Sequence, residues 1–234
     1  MELKLVEKVA TPHGLMPGRA EMRVLVMTAV SAERDAILRG LNNDTRFDVR
    51  IAGVGPVAAA VSTTKVLATA QYDLVVSAGI GGGFTGKAGV GSLVVANQIV
   101  AADLGAENPA GFCSLDQLGF GSTYIQIDAG LVKQVYEALL LANLPVNTGA
   151  VLTVSTVTGT AASAQSRAAR VPGATAEAME GYGVALAALD CGIPVLEIRA
   201  ISNLVGPRDR SAWRIKEALD VLEAASLVLS EVLR

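Results

Sequence analysis

Three polar side chains in this 234-residue sequence stand where apolar, strand-like runs end. Glu33 comes shortly after Arg23–Ala29, Glu180 directly after Thr175–Met179, and Asn203 just beyond Pro194–Ile201. In open α/β sheets ligands gather at the carboxyl ends of strands, so the three could share a cleft. Carboxylates placed there should find a partner or a ligand, and a carboxylate can act as a general base. An amide offers an acceptor oxygen and NH₂ donors to a polar ring edge. Arg199 interrupts the last of these runs, and a cation inside an apolar strand needs a carboxylate; Glu180 and Glu33 are both plausible partners. Plainer readings stand beside these: Glu33 as a first-turn glutamate favoured by the helix dipole, and Arg199 as a structural ion pair.

The glycine run after Asp73–Ala78 is a weaker signal. Gly81-Gly82-Gly83-Phe84-Thr85-Gly86 matches G-x-G-x-x-G and follows a strand. A dinucleotide site also needs a helix directly afterwards to receive the pyrophosphate. Here Lys87-Ala88-Gly89-Val90-Gly91-Ser92 leads into another strand, so no such cofactor is expected. A loop whose missing side chains admit a flat ligand or sugar fits better.

The elements that must position these residues alternate. Strands are expected at Arg23–Ala29, Phe47–Ala52, Asp73–Ala78, Ser92–Ala102, Val146–Val154, Thr175–Met179 and Pro194–Ile201. Helices are expected from Ala32 with Ser31 as cap, from Pro56, from Asp128, over Ala161–Arg170, from Glu180 and over Ala212–Leu233. Leu104–Ser122 reads as a loop. The pattern predicts an α/β three-layer sandwich around a mixed, largely parallel central sheet, in a single domain over residues 22–234. Met1–Glu21 resembles no targeting peptide, and Met22 is where the strand pattern begins. The segment before it, with His13, is set aside as a disordered or non-native extension.

Composition narrows the function. Hydrophobic residues make up 51%, aromatics 4% and charged residues 18%, with a net charge of -3. Such a chain lacks the basic stripe that nucleic-acid backbones require. Its apolar runs are far shorter than the roughly 18–20 residues that span a bilayer, so no membrane partner is expected. Cys113 and Cys191 give neither a disulfide framework nor metal spacing, and one histidine in the chain makes a metal site unexpected. The expectation is a cytoplasmic protein acting on a small molecule without metal or cofactor.

Taken together, Glu33, the pair Met179-Glu180 and the segment Arg199-Ala200-Ile201-Ser202 resemble the purine and uridine phosphorylase/nucleosidase superfamily, which includes 5′-methylthioadenosine/S-adenosylhomocysteine nucleosidase. Order and approximate spacing hold from Met22 to the C-terminus. Asn203 departs from the aspartate of that nucleosidase. Ala102–Glu107, Ser114–Gly121 and Ala200–Asp209 resemble the futalosine hydrolase branch. That branch cleaves an inosine-like nucleoside carrying a carboxyphenyl ketone tail at C5′, in an alternative menaquinone pathway.

The resemblance implies that Glu33 activates water, Glu180 holds the ribose hydroxyls, Arg199 keeps the carboxylates in register and Met179 packs under the sugar. Ser77, Ala78, Gly79, Val157 and Thr158 are expected beside the substrate. Phe112 and Phe120, in the Leu104–Tyr124 loop with Tyr124, are expected around the tail ring; in related nucleosidases this region crosses a dimer interface. Arg208 or Arg210 could meet the tail carboxylate, or simply face solvent. A homodimer or higher homo-oligomer is implied. Asn203 can accept from a protonated purine N7 while its NH₂ donates to a 6-oxo group, which favours hypoxanthine or guanine over adenine. Glu33 would repel phosphate, favouring hydrolysis over phosphorolysis. A non-catalytic nucleoside-binding protein is the alternative of another class.

Overall fold

The structure is a computed structural model and describes residues 21–109 and 111–234. Nearly all of the N-terminal segment set aside above, His13 included, lies outside the described residues.

Runs of Val, Leu, Ile and Ala make strands covered on both faces, while Ala-rich segments opened by Pro56 or Asp128 make helices. In chain order the elements are β1 (Val24–Thr28), α1 (Ser31–Leu41), β2 (Phe47–Ile51), α2 (Pro56–Leu67), β3 (Leu74–Gly83) and β4 (Leu93–Ala101). Next come β5 (Gly105–Asn108), β6 (Gly111–Ser114), α3 (Leu115–Leu118), β7 (Tyr124–Gln126) and α4 (Ala129–Leu141). β8 (Val146–Thr153), α5 (Ala161–Arg170), β9 (Ala174–Ala178), α6 (Gly181–Asp190), β10 (Val195–Leu204) and α7 (Ile215–Val232) complete the chain.

The main sheet runs β10-β4-β8-β9-β3-β1-β2, with β7 added on β4. β10 also pairs with β3, so β3, β10, β4, β8 and β9 close on themselves. Parallel pairs join β1 to β2 and β3, β3 to β10, and β8 to β4 and β9. The β4–β10, β3–β9 and β4–β7 pairs are antiparallel. The sheet is therefore mixed with a parallel majority, as expected. On its sides α7 packs against α1 and α4, and α2 against α6. No helix among the described residues is long and apolar enough to cross a membrane.

Two local expectations are corrected. Gly79–Gly83 is not a loop: it continues β3, because β10 and β9 supply backbone partners out to Gly83. The Leu104–Ser122 stretch is not irregular either. Gly105–Asn108 and Gly111–Ser114 form an antiparallel hairpin, and Ser114 then caps α3 through the Gln117 N–H. Those strands carry almost no buried apolar pattern, which is why periodicity did not mark them.

Candidate active site

The site grows from β10, where period-two alternation puts Glu197 and Arg199 on one face. Arg199 is 1% exposed although it carries a full charge. Its Nε donates to Glu197 Oε1 (2.8 Å), Nη1 to Glu180 Oε2 (3.2 Å) and Nη2 to Ser77 Oγ (2.9 Å). Burial works against the guanidinium charge, but Glu197, Glu180 and Glu33 outweigh it and hold its pKa above the ordinary value. Burial pushes Glu197 up against the opposing pull of Arg199. Gly79 lies opposite Arg199 in the β3–β10 register. A Cβ there would sit 2.5 Å from Glu33 Oε1 and 2.9 Å from Arg199 Nη1, so this glycine makes room for the pair.

Glu33 occupies the first turn of α1 and reaches back over it. Its Oε2 accepts from the Ala29 and Val30 N–H groups (2.8 and 3.2 Å), and Oε1 accepts from Ile80 N–H (2.8 Å). The helix-capping reading thus holds, with Val30 rather than Ser31 at the N-cap. It does not exclude chemistry, since a carboxylate has about four lone-pair sites and three are used. The remaining one is on Oε1. Burial pushes the Glu33 carboxyl above its usual range, against the opposing Ile80 N–H, Arg199 charge and Val30 N–H.

Glu180 stands at the N-cap of α6. Besides Arg199 it accepts from the N–H groups of Gly55 at Oε1 and Met179 at Oε2, both at 3.3 Å. One site on Oε1 stays open. Glu33, Glu180 and Met179 line a cavity of about 370 Å³ with Ala29, Ile80, Gly81 and Gly82. Val157, Thr158, Glu177, Ser202, Asn203, Pro207, Arg208 and Trp213 line the same space.

A bulge at Ser202 shifts the β3–β10 register between Ile201 and Asn203, and both Ser202 and Asn203 reach the cavity. Asn203 Nδ2 donates to Leu204 O (3.0 Å), and Oδ1 accepts from Ser202 Oγ (2.8 Å). A carbonyl can only accept, so the Leu204 contact fixes which way the amide points. One N–H and one oxygen lone pair remain side by side for a ligand. Together the residues offer a base for water, an acceptor for ribose hydroxyls and a donor–acceptor pair for a planar ring. No group of three His, Cys, Asp or Glu among the described residues is placed to hold a metal ion.

A model of the phosphorylase superfamily matches residues 20–234. Futalosine hydrolase of Streptomyces coelicolor is 51% identical, covering 91% of this chain and 97% of its own. The futalosine hydrolase of Thermus thermophilus is 35% identical, with 80% and 82% covered. The chain belongs to the futalosine hydrolase family of that superfamily. Among solved structures, 5′-methylthioadenosine/S-adenosylhomocysteine nucleosidase from Helicobacter pylori superposes with a TM-score of 0.76 at 17% identity, over 92% of this chain and 98% of that one. The Colwellia psychrerythraea nucleosidase, solved with adenine, gives 0.73 at 24%, over 91% and 95%. These likenesses show the fold. As a family member the chain is an N-glycosyl hydrolase.

Within this family frame, the structure brings Glu33, Met179, Glu180, Asn203, Val157 and Thr158 to one cavity. Arg199 lies behind the carboxylates. Ser77, Ala78 and Gly79 lie behind the cavity lining: Ser77 accepts from Arg199, Ala78 is core and Gly79 backs Glu33. Their neighbours Ile80, Gly81 and Gly82 line it instead. Phe112 and Phe120, in the region expected to cross a dimer interface, stand apart from the cavity of their own chain. Phe112 stacks under Arg170 (4.2 Å) in a separate depression of about 440 Å³, and Phe120 is 71% exposed. Neither reaches the cavity of its own chain.

Arg208 lines the cavity and Arg210 does not, although both lie over the Trp213 ring, at 5.3 and 5.8 Å. Sequence reasoning missed Trp213, Glu177 and Glu197. Glu197 was legible from its i, i+2 spacing to Arg199. Glu177 was not, since nothing local separates it from any strand carboxylate.

Glu33→Gln is expected to lose about 10²–10⁴-fold in turnover while still binding free purine. A base must be ionised to act, and burial raises this carboxyl, so the wild-type rate should fall on acidification at a pH above the ordinary glutamate value of about 4.3. Steady-state rates across pH check both; near-wild-type turnover in the variant would remove Glu33 from the chemistry.

Proposed function

We propose that this chain hydrolyses the N-glycosidic bond of futalosine, releasing hypoxanthine and dehypoxanthine futalosine for menaquinone biosynthesis. The observation that carries this reading is the anionic reacting end of the cavity. Glu33 and Glu180 face it, while every nitrogen of the Arg199 guanidinium is already engaged at 1% exposure. Phosphate would meet two carboxylates and an Arg199 already paired with Glu180 and Glu197; water meets the open lone pair of Glu33 Oε1.

As the bond to the base breaks, positive charge develops on the ribose and negative charge on the purine. Glu33 takes the proton of the attacking water, and Glu180 holds the ribose hydroxyls and favours the cationic sugar. Met179 supplies the apolar floor. The departing base takes a proton at N7 from solvent as the C1′–N bond breaks, and Asn203 accepts from that N7–H and donates to O6. At the tail, Trp213 offers a flat indole to an aryl ring and Arg208 a guanidinium to its carboxylate. The protein works in the cytoplasm as a homodimer or larger assembly. In such an assembly Phe112 and Phe120, which miss their own cavity, are free to approach a neighbour's.

Chromatography of products with and without phosphate tests the reaction class. Free hypoxanthine from futalosine, independent of phosphate, is expected; a phosphate requirement with a sugar 1-phosphate product would make the chain a phosphorylase.

Asn203→Asp tests base choice. The new oxygen faces the O6 acceptor of hypoxanthine but suits a 6-amino group, and a protonated aspartate can donate to N7. With the same 5′ tail on both substrates, the preference for 6-oxo over 6-amino should shrink by about 1–3 kcal/mol, roughly one to two powers of ten in relative kcat/KM. An unchanged preference in an active variant would place base choice elsewhere.

A further inference from the structure

Glu177 is a carboxylate that the hydrolytic chemistry leaves unused, yet it lines the cavity and is only 6% exposed. The sheet says where it stands relative to the base contact. Gly82 of β3 pairs with Glu177 of β9 on one side and with Asn203 of β10 on the other. Gly82 has no side chain, and a Cβ there would come 3.3 Å from Asn203 Nδ2. The strand between the two polar residues adds no side chain of its own; Val205 Cγ2, 2.9 Å from where a Cβ would stand, fills that place beside the amide, with the carboxylate on the other side of Gly82.

The carboxylate is held rigidly. Its Oε1 accepts from Thr158 N–H (2.8 Å), and its Oε2 from Thr158 Oγ1 (2.5 Å) and Arg167 Nη1 (2.8 Å). Arg167 also donates to the Thr156 carbonyl at 3.2 Å, tying down the Thr156–Thr158 wall. Arg167 pairs with the carboxylate at 2.8 Å, and a carboxylate oxygen accepts. Oε2 is filled and Oε1 has one lone pair left. A buried acceptor across Gly82 from a donor–acceptor amide, both lining one cavity, asks for a ring whose edge presents an N–H beyond its carbonyl.

We propose that Glu177 is a specificity-determining residue that accepts the N1–H of a 6-oxopurine while Asn203 engages N7 and O6. This rests on the nucleosidase reading above. Three neighbouring positions of the base are then matched: N7 and O6 by the amide, N1–H by the carboxylate. A 6-amino purine has an unprotonated N1, whose lone pair would face the carboxylate. It is therefore rejected at two positions rather than one. Arg167 acts through Glu177 as a positioning residue.

The test compares kcat/KM for futalosine, its 6-amino counterpart and its N1-methyl counterpart in wild type, Glu177→Gln and Asn203→Asp. In wild type the N1-methyl substrate should lose at least about tenfold, because a donor disappears and a methyl meets a buried oxygen. Glu177→Gln should shrink that penalty and the 6-oxo preference together, each by about ten- to a hundredfold. Asn203→Asp should shrink the 6-oxo preference and leave the N1-methyl penalty in place. A purely structural Glu177 would lower all three substrates alike, and that result overturns the proposal. So does a wild-type enzyme indifferent to N1 methylation, a measurement that stands even where Glu177→Gln fails to fold. Absence of hypoxanthine release from futalosine by wild type is a different failure, which overturns the nucleosidase reading and this inference with it.

Discussion

A guanidinium buried among three carboxylates is the constraint on which the rest of the site depends. Taking Arg199 out of water costs several kcal/mol, recovered only through close, hydrogen-bonded anions. Glu197 beside it on β10 and Glu180 at the head of α6 supply them at 2.8 and 3.2 Å, and Glu33 adds its field. The need runs in both directions. Burial raises the Glu33 and Glu197 carboxyls and the Arg199 charge opposes that rise, and a neutral Glu33 cannot take a proton from water. Two glycines keep the cluster compact: Gly79 where Glu33 meets Arg199, and Gly181, whose missing side chain leaves space for the Glu197 carboxylate.

The closed part of the sheet explains how residues from distant segments meet. β3 is shared by β10, β9 and β1, so the ends of four strands open on one cavity. β1 and the first turn of α1 deliver Glu33, β9 delivers Glu177 and leads into Met179 and Glu180, and β10 delivers Asn203 past its bulge. The glycines of β3 provide the backbone against which a flat base can lie. Carboxylates surround the reacting end, and Arg208 is the cation in the lining.

Much of this could be read in the residues themselves. Buried strands alternating with helices gave away the α/β sandwich, and Glu33, Glu180, Arg199 and Asn203 each stood out as a polar group at the end of, or inside, an apolar run. What escaped depended on pairing between distant segments. Nothing within Gly79–Gly83 says that two neighbouring strands will hold it extended, and small glycine side chains carry no period to read. The Gly105–Ser114 hairpin has mostly exposed strands, so it has no hydrophobic alternation. Residue type singled out Phe112 and Phe120 but not where they stand in their own chain, Phe112 under Arg170 and Phe120 toward solvent. Trp213 and Glu177 enter the cavity through the fold of the loop after β10 and the register of β9, neither of which a local pattern encodes.

The central claim is that Arg199 keeps Glu33 ionised in a buried site. It is tested most directly by the pH dependence of the single-turnover rate in the double variant Arg199→Met, Glu197→Leu. Replacing both members of the buried pair by apolar residues leaves no orphaned charge between them; Glu180 loses its ion pair but keeps the Gly55 and Met179 N–H groups, and a melting curve establishes first that the variant is folded. Without the guanidinium the Glu33 carboxyl should rise further, moving the acid limb of the profile to higher pH, with part of the lost rate recovered as the solution is made more alkaline. An acid limb that stays at its wild-type position in the folded double variant would contradict the account.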